Sequence, residues 1–222
     1  MRRVLVVLAA AGCCAIAAAP AGATNECRGL MVCVPVVGPW VVATPGRVEF
    51  QLACPQRYIV AGLDAELTSR GIEIGFVGAL GSPVNPGITT SREAVFLGRV
   101  VRDVVGATFR PHIGCVPASG GGRRTPTAYH PFPPGKPTVR HVVNFTVRGV
   151  GTTTHGARCA RNEQLVSATH AIGFPGDTPP SEAAIGAVSA TQRYRNGLML
   201  VTVHVTKRVR AVVQLDLVCA PR

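Results

Sequence analysis

The sequence predicts an all-β, disulfide-stabilised protein of two tandem, related β-sandwich-like units. The alternative arrangement is one pseudo-symmetric sandwich or barrel in which both repeats share a core. Three observations carry this. Apolar residues alternate with polar ones along runs that end on cysteines, as in "TFRPHIGCVPA" and "VVQLDLVCAPR". Cys54 to Cys115 spans 61 positions and Cys159 to Cys219 spans 60. Val/Ile/Phe/Thr-rich runs are punctuated throughout by Gly, Pro, Asn or Ser.

The chain opens on a leader. Arg2 and Arg3 precede an uncharged, mostly apolar stretch from Val4 to Ala19, and Ala21-Gly22-Ala23 fits the small-x-small rule for cleavage. The stretch is shorter than the about 20 residues a membrane span needs. Residues 1–23 are therefore expected to be a removed signal peptide, leaving no transmembrane segment and a secreted or cell-wall-associated chain. Lipoprotein processing at Cys13 is the lesser alternative, because Ala10 stands where Leu is usual and the residues after Cys13 stay apolar.

Of the eight cysteines, six lie beyond the leader: Cys27, Cys33, Cys54, Cys115, Cys159 and Cys219. An even number in an exported chain suggests disulfides. Six cysteines allow about 15 connectivities. The repeat favours Cys54–Cys115 and Cys159–Cys219, with Cys27–Cys33 closing a small loop. In the chain-entropy model the two large loops contribute about 4 kcal/mol each and the small one about 2.

Segment 24–46 carries the small loop. The first unit covers 47–118 and the second 140–222. Between them, 119–139 holds five Pro and four Gly without apolar periodicity and reads as a linker. "VEFQLACPQRYIVAG" from residue 48 parallels "VNFTVRG" and "RCARNEQLVSA" from residue 143, which suggests internal duplication. Strands are expected over 58–66, 71–76, 94–101, 142–147, 164–172 and 198–205, with the last long run broken at 206–208. In a strand successive side chains face opposite ways. Val48, Phe50, Leu52 and Cys54 thus share a face, as do Phe109, Ile113 and Cys115, opposite Thr108, Arg110 and His112. Val213, Leu215, Leu217 and Cys219 line up against Gln214 and Asp216. Cys159 follows a Gly/Thr-rich stretch that gives no phase. Residues 181–193 are the one helix candidate, with Ser181, Glu182 and several Ala.

The formal charge of +12 falls to +10 without the leader, from 21 basic residues against 11 acidic. Nearly all the cations are Arg; Lys occurs only at Lys136 and Lys207. Such a surplus suits an anionic partner such as an envelope polymer. The abundance of Arg, Ala, Gly, Val and Pro also follows G+C-rich codons, and resembles exported proteins of high-GC bacteria without pointing to any family. Candidate contacts are Arg123 and Arg124 in the linker, and His204, Lys207, Arg208 and Arg210 near the last hairpin. Thr202, His204, Thr206, Arg208 and Arg210 form a polar stripe if pairing continues through the turn. A nucleic-acid platform interleaves aromatics for base stacking, and residues 195–222 contain none.

No catalytic motif appears. His112, His130, His141, His155, His170 and His204 show neither H-x-H nor H-E-x-x-H spacing, and Cys27 and Cys33 lack a second ligand pair for zinc. There is no G-x-S-x-G elbow and no S-x-x-K start. Asp64 and Glu66 share a strand face with Glu73 nearby, the raw material of a two-carboxylate site, yet alternation already places polar residues there. The loops 81–91 and 174–182 are rich in Pro and Gly and are candidate ligand loops. Asn144-Phe145-Thr146 matches a glycosylation acceptor but falls within a predicted strand. The expectation is a secreted, non-catalytic binding or structural module of the bacterial envelope or extracellular space, without cofactor or metal, whose partner is an anionic polymer or another secreted protein. The alternative is a secreted hydrolase with an unrecognised site.

Overall fold

The computed structural model describes residues 25–78, 92–102, 104–118, 138–195 and 197–222, and these are almost wholly β. Residues 1–24 with Cys13, residues 79–91 and residues 119–137, including Arg123 and Arg124, lie outside the described residues, and with them the expected leader, loop 81–91 and linker.

The elements run β1 (Val34–Val37), β2 (Trp40–Val42), β3 (Val48–Ala53), β4 (Tyr58–Leu67), β5 (Ile72–Gly78), β6 (Glu93–Val100) and β7 (Thr108–Pro117). They continue as β8 (Val139–Arg148), β9 (Gly151–Arg158), β10 (Glu163–Phe174), α1 (Glu182–Ile185), β11 (Val188–Arg195), β12 (Leu198–Val205) and β13 (Arg210–Pro221). A seven-stranded antiparallel sheet runs β4-β7-β2-β10-β13-β8, with β1 also on β7. Two three-stranded sheets, β3-β6-β5 and β11-β12-β9, pack against it. Because β2 pairs with both β7 and β10, strands from both halves of the chain enter one sheet, while each half supplies its own outer sheet.

Two cores result. Phe109, Ile113 and Cys115 of β7 pack with Phe50 and Phe96. Val213, Leu215, Leu217 and Cys219 of β13 pack with Met199, Val201 and Val203. Alternation at β2 splits its side chains: Val41 joins the first core and Trp40 the second. The outer sheets therefore lie on opposite faces of the central sheet. All three expected cysteine pairs are joined as disulfides: Cys27–Cys33, Cys54–Cys115 and Cys159–Cys219. Registers repeat around the two long bridges. Val60 and Val34 flank Cys115, just as Leu165 and Val139 flank Cys219. A one-residue bulge follows at the same offset, between Val60 and Gly62 and between Leu165 and Ser167.

Four differences from the sequence reading have physical causes. The strand leading into Cys159 is β9, in the Gly/Thr-rich stretch expected to be loop. It is held by eight pairs with β12, from Leu198↔Arg158 to Val205↔Gly151. The helix over 181–193 is reduced to one turn. Ser181 caps it by accepting from Ala184 N, but Gly186 ends it, and Val188 onward alternates and pairs with β12. So short a helix has little stability of its own. Gln214 and Asp216, the polar face of β13, are buried at 1% exposure because β3 lies across them. His112 is buried too, under the segment from Asn25 to Cys33. That segment seats because Gly62 and Gly114 have no side chain: a Cβ there would stand 1.7 and 2.1 Å from the Glu26 carbonyl oxygen.

Candidate anion-binding surface

The outer sheet β11-β12-β9 presents one face to its core and one to solvent. Val201, Val203 and Met199 point inward. On the outward face, cross-strand rows follow from the register. His204 lies between Ser189 and Thr152, and Thr202 between Thr191 and Thr154. Leu200 lies between Arg193 and Gly156, and Leu198 between Arg195 and Arg158. The hydroxyls and imidazole knit across strands: Thr152 Oγ1 meets His204 Nδ1 at 2.9 Å and Thr154 Oγ1 meets Thr202 Oγ1 at 3.0 Å.

These three strands contain no Asp or Glu. Arg158, Arg193 and Arg195 are exposed, and among the described residues no ion pair neutralises them. Beyond the other end of β12, Lys207 and Arg208 sit exposed in the turn, and Arg210 opens β13. Cations thus bracket a hydroxyl-rich floor about 25 Å long and about 10 Å wide, from the rise per residue and strand spacing of a sheet. The opposite outer sheet is neutralised. Its hollow of about 300 Å³, lined by Arg47, Glu73, Leu97 and Arg99 among others, holds arginines already engaged. Arg99 pairs with Glu73 at 2.7 Å and Arg47 with Glu49 at 2.6 Å.

His204, Lys207 and Arg208 lie at one end of this surface, but the expected stripe is not continuous. Thr206 turns its hydroxyl to the Ala187 carbonyl at 3.4 Å, and Arg210 leaves with β13 for the central sheet. Arg158 falls in the Gly/Thr-rich stretch that gave no phase, Arg193 at the end of the helix candidate 181–193 and Arg195 just beyond it, so none was placed on a strand face. The Arg193-x-Arg195 spacing, correct for one strand face, was the available signal. Comparison with protein-family models, curated proteins and solved structures finds no match.

Other clusters are structural. His141, Glu163 and Cys219 converge, but the Cys219 sulfur is bonded to Cys159 and is no metal donor. What remains is a hydrogen-bonded contact, His141 Nε2 to Glu163 Oε2 at 2.7 Å. The Ala160 N–H and then His141 hold the Glu163 carboxyl below its usual range. Asp64 and Glu66 stand opposite His112 and Arg110 on β7. Glu66 meets His112 Nε2 at 2.9 Å, and Glu26 lies 3.5 Å from Nδ1. Arg110 stacks over Trp40 at 5.7 Å and reaches Asp177 of the 174–182 loop at 3.1 Å. His112, at 3% exposure, is shut away from any substrate. Glu73 is spent on Arg99, and Asn144 accepts from Gln214 Nε2 at 3.0 Å.

A third cluster joins the halves of the chain. Arg140 on β8 lies between Glu49 of β3, at 2.6 Å, and Asp216 of β13. Burial pushes the Asp216 carboxyl up to about 6 despite Arg140. Burial acts the same way on Glu49, but hydrogen bonds and charge from Arg140 and Arg47 outweigh it and hold that carboxyl low.

Proposed function

We propose that this is an exported, non-catalytic module that binds an extended anionic polymer of the envelope or extracellular space along the outer face of β11-β12-β9. The observation that carries the reading is the trio Arg158, Arg193 and Arg195, exposed on a sheet without one acidic residue. A long, shallow, cation-bracketed surface suits a linear polyanion better than a compact ligand. Among the described residues Tyr194 is the one exposed aromatic of β11-β12-β9, too few for the stacking rows of a nucleic-acid platform. Three disulfides support an oxidising, extracellular setting and removal of residues 1–23. The matched bulges and registers beside the two long disulfides support an internal duplication. On that view the second copy shed the acidic residues that the first kept at Glu49, Glu73 and Glu93. Burial of His112 with Glu26, beneath the half-buried Glu66, favours binding over the alternative of hydrolysis.

The test is retention on immobilised polyphosphate as salt is raised. The parent should be retained at low salt and released steeply. R158A/R193A/R195A should bind at least tenfold more weakly, with a salt slope lower by roughly 2–3, since each phosphate contact contributes about 0.9. Equal retention of parent and variant would sink the assignment. A native mass that includes residues 1–23 would overturn the export step.

A further inference from the structure

The Cys27–Cys33 loop is small, tied down and apolar at its tip. Met31 is wholly exposed at 103% and Val32 at 60%, and Arg28 is exposed in the same loop. Its base is fixed four ways. The disulfide closes it, and Leu30 N donates to Cys27 O at 3.2 Å. Asn25 N donates to Asp64 Oδ2 at 2.6 Å, and the Glu26 backbone lies against Gly62 and Gly114. Gly29 turns the chain at φ +78°. A loop held this rigidly loses little entropy on binding, and its exposed Met and Val contribute nothing to the fold.

We propose that this loop is a membrane-inserting tip, seating Met31 and Val32 at the headgroup–acyl boundary of an anionic bilayer. Charge complementarity chooses lipid over a protein groove. Arg28 is exposed in the same loop to meet headgroup phosphates, and the chain as a whole carries a large cationic surplus. Placement agrees. Gly114, His112 and Arg110 occupy one face of β7, and the Arg110–Trp40 stack carries that face into the one that packs against β11-β12-β9. The segment carrying the loop and the sheet β11-β12-β9 therefore cover the same face of the central sheet. This inference stands on the loop and survives if the polymer assignment fails.

The experiment uses the disulfide-bonded full chain and vesicles of phosphatidylglycerol or phosphatidylcholine. In M31W, emission should shift to the blue on phosphatidylglycerol vesicles and stay put on phosphatidylcholine. The native Trp40, 3% exposed, supplies a constant background. M31D/V32D should partition onto phosphatidylglycerol vesicles at least tenfold more weakly than the parent, with unchanged melting and unchanged polyphosphate retention. An M31W emission that ignores vesicles, or M31D/V32D partitioning equal to the parent's, would overturn the proposal. R158A/R193A/R195A separates the two readings: it should lose polyphosphate while the same changes in M31W retain the vesicle-induced shift.

Discussion

Gln214 clasps the backbone of Gln51 across 163 positions of sequence. Its Oε1 accepts from Gln51 N at 2.6 Å, and its Nε2 donates to Gln51 O at 3.1 Å. On its free side the edge strand β3 offers an N–H and a C=O with no strand to take them, and one amide side chain from β13 satisfies both. Gln214→Met keeps the volume and removes the clasp. It should cost about 2–3 kcal/mol, from polar groups left unpaired at a part-buried site. The urea midpoint should fall at unchanged m-value. A loss under about 0.5 kcal/mol would show that water replaces the amide.

Asp216 predicts a pH dependence of definite sign. Its carboxyl lies at about 6 in the fold against the ordinary 3.8. The folded state therefore holds more protons than the unfolded one between these values, and this group's contribution to stability is lost as pH rises through that window. The amplitude is about 3 kcal/mol. Glu49 acts oppositely but in a lower window, since its carboxyl is held below 4.5. Thermal melts from pH 4.5 to 7 should show the parent losing stability from this group and Asp216→Asn following a flatter line. Parallel lines would place the proton elsewhere.

The seat of the N-terminal segment depends on a missing side chain. A Cβ on Gly114 would meet the Glu26 carbonyl oxygen at 2.1 Å and Cys33 Sγ at 3.0 Å. Gly114→Ala should lift residues 25–33 off β4 and β7. Amide exchange there should quicken at least tenfold, with little change in β12 or β13. Unaltered exchange in 25–33 would mean the backbone yields instead.

The disulfides should separate by loop length. C54S/C115S and C159S/C219S should each lower stability by about 4 kcal/mol, and C27S/C33S by about 2. The last should loosen its loop first and shift the melting of both cores less than either long-bridge variant does. Equal losses in all three variants would tie the small bridge to the cores.

Much of the scaffold was legible because alternation is a local signal. The runs that became β4, β6, β10, β12 and β13 carry an apolar face, and the break at 206–208 separates the last two. Cysteine spacing favoured the pairing, and the fold closed the three bridges. The stretch that became β9 was not legible, since Gly, Thr and His populate both its faces and only Ala157 is buried. That strand exists through its ladder to β12. The Ser-Glu-Ala-Ala run announced a helix that Gly186 and the β12 edge cut to one turn. Losing β9 and β11 from the sequence reading also meant losing Arg158, Arg193 and Arg195.

By itself, the chain's order of residues determined the strand-rich class and the positive balance, because each is written in local period or count, and the spacing of the repeat favoured the sulfur pairings that the fold then made. Only tertiary packing decided that Gln214 and Asp216 would be buried beneath β3, that the segment carrying Met31 would seat on two glycines, and that the arginines would share one unneutralised sheet. Those outcomes depend on which strands become neighbours, and strand neighbours are chosen by covering both faces of a central sheet rather than by any single segment's pattern.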